Sequence, residues 1–200
     1  MMLIEQSHGA KPATRAERVV SAVFKATLET LAQAGYAGLT IEMVAARAAV
    51  NKTTIYRRWP TKLELVRDAL LQSKRERTTY IDTGAVREDL LQWLREHVAF
   101  ITSPLGQGVV RTLMMEGHDS EIADIARALR SEAEELPVRI LERGVTRGEL
   151  SPDVPKRMIL GLLQGVTLHR IFVSPCGVDE MALESLIDLI LDGARLPQKR

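Results

Sequence analysis

The stretch that decides the fold is Asn51-Lys-Thr-Thr-Ile-Tyr-Arg-Arg-Trp-Pro-Thr-Lys-Leu-Glu-Leu-Val66. It places four cationic side chains, three threonine hydroxyls and one tyrosine phenol around two helix starts, directly after a short apolar segment. Cationic and hydroxyl side chains near a helix N-terminus are the groups that contact phosphates and base edges in a DNA major groove. The stretch therefore predicts a helix that reads DNA.

Capping signals on its N-terminal side predict a helix-turn-helix. Thr40 can cap a helix whose apolar face runs from Ile41 to Ala48, and Asn51 can cap the next helix. A helix of about eight residues, a short turn and a second short helix have the spacing of helix-turn-helix proteins. The second helix of such a pair lies in the major groove.

Two capping boxes mark the neighbouring helices. Thr14 with Glu17 opens a first helix that ends at Gly35, and Thr61 with Glu64 opens a longer fourth helix. Strand patterns are nearly absent from the whole chain, so the predicted fold class is all-α.

Residues 14–77 resemble the DNA-binding domain of the tetracycline-repressor (TetR) family. The resemblance rests on Gly-Tyr-Ala-Gly-Leu-Thr at 35–40, Ile-Glu-Met-Val-Ala-Ala-Arg-Ala at 41–48 and Asn-Lys-Thr-Thr-Ile-Tyr-Arg-Arg-Trp-Pro-Thr-Lys at 51–62. It implies an all-α homodimer of about nine helices, with an N-terminal three-helix helix-turn-helix domain and a larger C-terminal helical bundle. It also implies a transcriptional repressor that a small-molecule effector releases from DNA.

Polar side chains at the starts of the second, third and fourth helices, and others one turn after the start of the third, are the candidate DNA contacts. Free backbone N–H groups and the helix dipole favour phosphate there, and an arginine can bond O6 and N7 of guanine. By the resemblance seven of these residues contact DNA, and Arg58 joins them on its position alone. The full set is Thr40, Lys52, Thr53, Thr54, Tyr56, Arg57, Arg58 and Lys62.

Two departures from the family pattern stand out. Ala49 occupies a turn position where the family usually has glycine, and a positive φ there would cost roughly 1 kcal/mol relative to glycine. Trp59 replaces the more usual phenylalanine and is expected to enlarge the apolar plug under the fourth helix. Tyr56 and Trp59 both have the alternative role of core aromatics, and Thr53 and Thr54 that of favourable first-turn residues.

Charge is distributed unevenly along the chain. Residues 1–77 carry 13 cationic and 7 acidic side chains, a net +6, whereas the remainder carries 14 and 19, a net −5. A solvated charged face would also give this pattern, but clustered Lys and Arg are what attract a polyanion.

Beyond residue 82 the apolar periodicity predicts a helical body. Pro137 falls inside a long predicted helix at 122–141, where a kink or a break is expected because proline removes a backbone donor. The domain division is a flexible N-terminal arm at 1–13, a helix-turn-helix domain at 14–60, a connecting helix at 61–81 and a ligand-sensing and dimerisation domain at 82–200.

The last two predicted helices, 158–172 and 181–191, indicate self-association. Apolar residues surround the first of them nearly completely, which is more than one buried face of a monomer uses. A two-fold dimer would place its recognition helices about 34–36 Å apart on a palindromic operator. The predicted interface residues are Gly161, Leu162, Gly165, Val166, Leu186 and Ile190.

Large and polar residues of the body are the candidate pocket for a small apolar or amphipathic effector. The histidines of the body are scattered along the sequence, and the chain has one cysteine, Cys176. We therefore expect no metal site, no cofactor and no disulfide. The candidate pocket residues are Trp93, His97, Phe100, Met114, Met115, His118, Leu141 and His169.

Two other function classes remain open. The chain could be a ligand-independent helix-turn-helix DNA binder or a small all-helical enzyme, although it has no Gly-rich phosphate loop, nucleophile elbow or paired metal-ligand motif. Neither a signal peptide nor an apolar run of about 20 residues is recognisable, so we expect a cytoplasmic protein without a membrane partner.

Overall fold

The computed structural model describes residues 14–77, 80–115, 120–174 and 176–194. Within these ranges the regular elements are all helical, which confirms the all-α prediction. The predicted flexible arm, residues 1–13, lies outside the described residues. The described helices are α1 (Arg15–Gly38), α2 (Ile41–Ala48), α3 (Lys52–Tyr56), α4 (Lys62–Arg77), α5 (Val86–Thr102), α6 (Pro104–Met115), α7 (Ser120–Thr146), α8 (Lys156–Leu168) and α9 (Glu180–Ala194). We call residues 14–60 the head and residues 82–194 the body.

Local capping sets the helix boundaries of the head. The backbone N–H of Glu17 donates to the Thr14 hydroxyl (3.2 Å), and the Thr14 N–H donates to the Glu17 carboxylate (2.7 Å), which forms the predicted capping box. Gly35, at φ 70, interrupts the helical conformation of α1 where the sequence predicted its end. The Thr40 and Asn51 side chains cap α2 and α3 as predicted.

Two hydrophobic clusters form the core. The first joins the head to α4 and includes one residue of α6, Val109, whereas the second lies within the body. The fully buried side chains of the first cluster include Leu31, Val44, Ile55 and Leu65, and those of the second include Leu90, Leu94, Ile140, Leu141 and Leu163.

Helix α6 packs directly on α1, and this is the most extensive contact between two helices of the described chain. A Cβ added at Gly108 would lie only 2.7 Å from the Cα of Ala32, so the two backbones touch at this point. The Arg111 guanidinium also donates to the carbonyl of Ala32 (3.2 Å). The body therefore holds the head through α6 as well as through α4.

Helix α7 continues through Pro137, so the break allowed by the sequence does not occur. Proline removes only one backbone donor, whereas the residues around it are anchored in the body core. Ile140 and Leu141 are fully buried there, and Leu136 and Val138 pack against the same cluster.

Helix α8 is shorter than predicted. Its α-helical part ends at Leu168, and a π-helical turn, His169–Val173, continues it to Ser174. The Ser174 N–H donates to the carbonyl of His169 (2.8 Å), five residues earlier, which is the hydrogen bond of a π turn.

A buried carboxylate fastens the segment after α4 to the body. Asp89 is fully buried and accepts hydrogen bonds from the backbone N–H (2.6 Å) and hydroxyl (2.7 Å) of Thr83. Its other oxygen lies 3.6 Å from Arg143 and 3.7 Å from Arg147, both on α7. These contacts hold Thr83, which precedes α5, and Asp89 of α5 against α7.

Candidate nucleic-acid interface

The recognition helix α3 is anchored by two apolar side chains. Ile55 is fully buried, and Trp59 is buried with its ring 5.3 Å from that of Phe24. The Trp59 indole N–H donates to Asp68 of α4 (3.1 Å). Trp59 is therefore a core aromatic under α4, as its sequence position predicted.

The remaining side chains of α3 face solvent. Lys52 and Thr53 are exposed, Thr54 is half-buried, and the Tyr56 side chain is 44% exposed, so Tyr56 is not a core aromatic. Arg57 and Arg58, in the turn that follows, are exposed as well. The head thus presents hydroxyl, phenol and cationic groups together on one short helix and its C-terminal turn.

Lys52 is available for another anion. Its ammonium lies 3.8 Å from Glu42 of α2, and more than half of each side chain is exposed. Exposed ion pairs of this kind contribute little free energy and are screened by salt. A phosphate can therefore replace Glu42 at little cost.

Ala49 takes the left-handed conformation between α2 and α3. Its φ is 54 and its ψ is 42, and it is the only non-glycine residue of the described chain with positive φ. The N–H of Val50 donates to Ala45 (3.0 Å) and that of Ala49 to Ala46 (3.3 Å), which is the pairing of a Schellman turn. The turn keeps the shape that glycine would favour and is strained by the Ala49 Cβ.

Arg47, which the sequence reasoning missed, braces α2 against α1. Its guanidinium donates to Gln33 (2.7 Å) and to the Thr30 hydroxyl (3.4 Å), and it lies 3.9 Å from Glu29. This brace fixes the angle at which the helix-turn-helix leaves α1. The sequence carries no local signal for it, because its partners lie 14 to 18 residues earlier in the chain.

Lys62, at the start of α4, is held by the end of α1. Its ammonium donates to the carbonyl of Tyr36 (3.0 Å) and lies 4.2 Å from the centroid of the Tyr36 ring. An ammonium has three donors, so this contact leaves others for a phosphate. Thr40, the eighth predicted contact, is exposed at the start of α2.

In the body, the structure brings Trp93 and His97 together. Their rings stack with centroids 5.6 Å apart, and His97 Nε2 is buried without a hydrogen-bond partner among the described residues. Burial lowers the pKa of His97 from 6.5 to about 4, because the charged form is desolvated. Imidazole is therefore the neutral form at pH 7.

Phe100 contacts the far end of α4. The Arg77 guanidinium lies 3.7 Å from the centroid of the Phe100 ring, and burial lowers the pKa of Arg77. Leu141 is fully buried in the body core, and His169 is exposed on the π-helical turn. The side chains of Met114 and Met115, and His118 as a whole, lie outside the described residues.

A groove with a volume of about 550 Å³ opens between α1, α4 and the turn from α5 to α6. None of the eight predicted pocket residues lines it. Its lining residues are Ser21, Phe24, Lys25, Leu28, Glu29, Ala32, Ala69, Gln72, Ser73, Glu76, Ser103, Pro104 and Leu105.

The predicted dimer residues divide into two groups. Leu162 is 50% exposed and Val166 37% exposed on α8, and a Cβ added at Gly161 or Gly165 would meet no other atom within 4 Å. These residues, with exposed Met158, form an open apolar stripe of helical spacing. On α9, Leu186 and Ile190 are half-buried against the body core.

Two other kinds of site are absent from the described residues. No three His, Cys, Asp or Glu side chains in that part of the chain are grouped so that they could hold a metal ion. None of the helices there combines the length and the apolar character that crossing a bilayer requires.

A helix-turn-helix head with an exposed cationic and hydroxyl face, carried on an all-helical body, defines a DNA-binding transcriptional regulator. Residues 23–69 match the family model described as bacterial regulatory proteins, tetR family, and residues 80–190 match that of the tetracyclin repressor-like C-terminal domain. The chain belongs to the TetR family of transcriptional regulators.

Individual proteins extend the likeness over most of the chain. The DNA-binding transcriptional repressor TetR of Mycobacteroides abscessus is 30% identical over 90% of this chain and 98% of its own length. The regulator AqdR of Rhodococcus erythropolis is 29% identical over 92% of this chain and 89% of its own. The crystal structure of the TetR family regulator SCO0332 superposes with a TM-score of 0.72 at 31% identity, covering 89% of this chain and 99% of that one.

Proposed function

We propose that this regulator is a homodimeric repressor that binds a palindromic operator and leaves it when a small apolar or amphipathic effector enters the body. The observation that carries the proposal is the exposed polar face of α3. The opposite, apolar side of this helix is buried in the core through Ile55. Its site of action would be the cytoplasm, where the operator DNA lies.

The proposed DNA contacts have separate tasks. Thr40, Lys52 and Lys62 stand at the starts of three helices, where phosphates are favoured, and position the head on the backbone. Thr53, Thr54, Tyr56 and the two arginines, Arg57 and Arg58, lie on or directly after α3, whose N-terminal residues meet base edges in helix-turn-helix complexes.

The operator contacts can be tested by selection and by salt dependence. Random DNA duplexes selected for binding to the protein should yield a two-fold symmetric motif. The affinity for this motif should then be measured by fluorescence anisotropy from low to moderate salt concentration. Lys52→Ala should weaken binding and reduce the slope of log K against log salt by about one, because one phosphate contact is lost. Arg139→Ala, at an exposed position on α7, is the matched control and should leave the slope unchanged.

Two outcomes would contradict the DNA proposal. Enrichment without a symmetric motif would favour a binder that recognises DNA without a palindrome, and an unchanged slope in Lys52→Ala would mean that this lysine does not meet phosphate.

The exposed stripe on α8 supports the homodimer. Gly161 and Gly165 directly precede the exposed residues Leu162 and Val166 on α8. A second copy of the helix could therefore approach closely at the glycines and bury the apolar side chains. Leu162→Glu should convert the dimer to a monomer in analytical ultracentrifugation. Met43→Glu, which changes an exposed apolar side chain of the head, is the control and should remain dimeric. A wild-type monomer at micromolar concentration would refute the interface.

The stacked Trp93 and His97 support an effector site in the body. A neutral, buried imidazole nitrogen without a partner can bind one polar group of a ligand whose apolar part lies on the tryptophan. His97→Leu should leave operator affinity unchanged but abolish release of labelled operator by a panel of apolar and amphipathic compounds. If His97→Leu responds like the wild type, the effector does not use this nitrogen.

Helix α4 is the proposed link between effector and operator. Lys62 ties its first turn to Tyr36 of the head, and Arg77 ties its last turn to Phe100 of the body. An effector that displaces Phe100 would move α4 and change the separation of the two heads in a dimer. A shift of the population from 1:99 to 99:1 requires about 5.5 kcal/mol of differential affinity.

A further inference from the structure

The helix-turn-helix carries one carboxylate on a segment that is otherwise cationic. Residues 39–60 contain four cationic side chains and a single acidic one, Glu42. Glu42 lies in the first turn of α2, directly after Ile41, whose side chain is buried in the head core. The Glu42 side chain is 61% exposed, so it projects from the head instead of packing into it.

Glu42 stands beside the part of α3 that we propose to face DNA. Its Oε1 lies 3.8 Å from Nζ of Lys52, the first residue of α3. Thr40, which caps α2 two positions before Glu42, is exposed as well. Thr40 and Lys52 are both proposed phosphate contacts, so a duplex bound to them comes within reach of the Glu42 carboxylate.

The other two carboxylates of the head have tasks within the protein. Glu17 closes the capping box at the start of α1, and Glu29 lies beside Arg47 in the brace between α1 and α2. Glu42 has no such task, because Lys52 is its only charged partner among the described residues and that pair is exposed. An exposed pair adds little to stability, so the position of Glu42 is better explained by what it meets on DNA.

A bound duplex changes the surroundings of this carboxylate. The phosphate that binds Lys52 separates Glu42 from its cation, and like charges about 5 Å apart in water repel enough to weaken binding about fourfold. One major-groove group compensates for this repulsion. The N4 amino group of cytosine donates to Glu or Asp, whereas O6 and N7 of guanine and O4 of thymine are acceptors and would repel a carboxylate.

We propose that Glu42 reads a base of the operator by accepting a hydrogen bond from the N4 amino group of a cytosine, next to the phosphate that Lys52 binds. The inference rests on the proposed operator binding and adds to it a specificity residue on α2, outside the recognition helix. In a two-fold symmetric dimer the cytosine occurs once in each half-site. Lys52 then positions the head on the backbone, which carries no sequence information directly, and Glu42 discriminates between bases.

Selection of random duplexes with the wild type and with Glu42→Gln tests the assignment. Glutamine pairs with N6 and N7 of adenine, so the two motifs should differ at one position of each half-site, with cytosine in the wild type and adenine in the variant. When thymine replaces this cytosine, the wild type should lose at least roughly fivefold in affinity, the lower value for a base-specific contact. Base preference is a ratio measured with one protein, so a small change in stability does not affect it.

Two further variants separate base reading from a loss of charge and from an effect through Lys52. Glu142→Gln removes the same charge from an exposed position on α7 and should select cytosine as the wild type does. Lys52→Ala should bind every duplex more weakly and still select cytosine, because a phosphate contact does not depend on sequence.

Four results would overturn the proposal. An identical motif in the wild type and Glu42→Gln, with a common gain in affinity for all duplexes, would mean that Glu42 only repels phosphates. An identical motif with unchanged affinity would mean that Glu42 does not approach the DNA. A change at a position where the wild type prefers another base would remove the assignment to cytosine. Loss of the cytosine preference in Lys52→Ala would make Glu42 a residue that only positions Lys52.

These failures are distinguishable from a failure of the proposed function. In each of them the wild type still selects a symmetric motif, so operator binding stands and only the role of Glu42 falls. A wild type that selects no motif would refute the operator binding itself, and the inference about Glu42 with it.

Discussion

Replacing Ala49 with glycine is expected to stabilise this regulator, although the replacement adds no contact. Ala49 holds φ 54 and ψ 42 in the turn between α2 and α3. The left-handed conformation costs a residue with a Cβ about 1–2 kcal/mol, and glycine avoids that cost. Glycine also gives the unfolded chain more freedom, which offsets about 0.4–1 kcal/mol. The net gain is about 0.5–1 kcal/mol.

The gain is measurable by thermal and urea unfolding followed by circular dichroism. For a chain of 200 residues, 1 kcal/mol corresponds to roughly 2–4 °C, so Ala49→Gly should raise the melting temperature by roughly 1–4 °C. The urea midpoint should rise with an unchanged m-value. All variants must be compared at one protein concentration, because dimerisation makes the melting temperature depend on concentration.

Ala46→Gly is the matched control, since Ala46 is an exposed residue inside α2 with helical conformation. The same chemical change should there lower the free energy of unfolding by about 1 kcal/mol. Operator affinity should remain within about twofold for Ala49→Gly, because no DNA-facing side chain changes. If Ala49→Gly fails to raise the melting temperature while Ala46→Gly lowers it, the strain argument is wrong.

Three other perturbations test the head, the effector region and the linker. Lys62→Ala should weaken operator binding and also lower the melting temperature, because the Lys62 ammonium donates to Tyr36 of α1. Lys52→Ala should weaken operator binding alone, because Lys52 contacts only the exposed Glu42. Equal melting temperatures of the two variants would contradict this difference. The pKa of His97 is lowered from 6.5 to about 4, so the unfolded chain takes up a proton that the folded chain resists. The free energy of unfolding should therefore fall between pH 6.5 and 4, by at most ~3 kcal/mol, and urea titrations of His97→Leu should show a smaller fall. Asp89→Ala should cost about 3 kcal/mol in urea unfolding because it removes a buried, ion-paired carboxylate, whereas Arg95→Ala, which breaks an exposed pair, should leave the urea midpoint unchanged.

The helical boundaries of the head could be predicted because their causes are local. The Thr14 capping box, the Gly35 stop and the caps at Thr40 and Asn51 each depend on residues within a few positions. The positive φ at Ala49 was expected only on condition that the turn keeps the shape in which the family usually has glycine, and the turn does keep that shape. The candidate DNA-facing side chains could be named for the same reason, since a short helix with Ile55 buried must expose its other faces.

What the sequence did not reveal depends on contacts between distant residues. Lys62 meets Tyr36 across 26 positions, and Arg47 meets Gln33 across 14. The glycines at 106 and 108, two positions apart near the start of α6, were the available signal for a close helix approach. The uninterrupted course of α7 through Pro137 is likewise decided by burial of the residues around it.

The contacts between head and body limit how a signal can reach the DNA. Helix α4 is tied at both ends, but α1 also rests on α6 with backbone against backbone at Gly108. Closely packed interfaces do not deform continuously, so a head that follows α4 must also slide or rotate on α6.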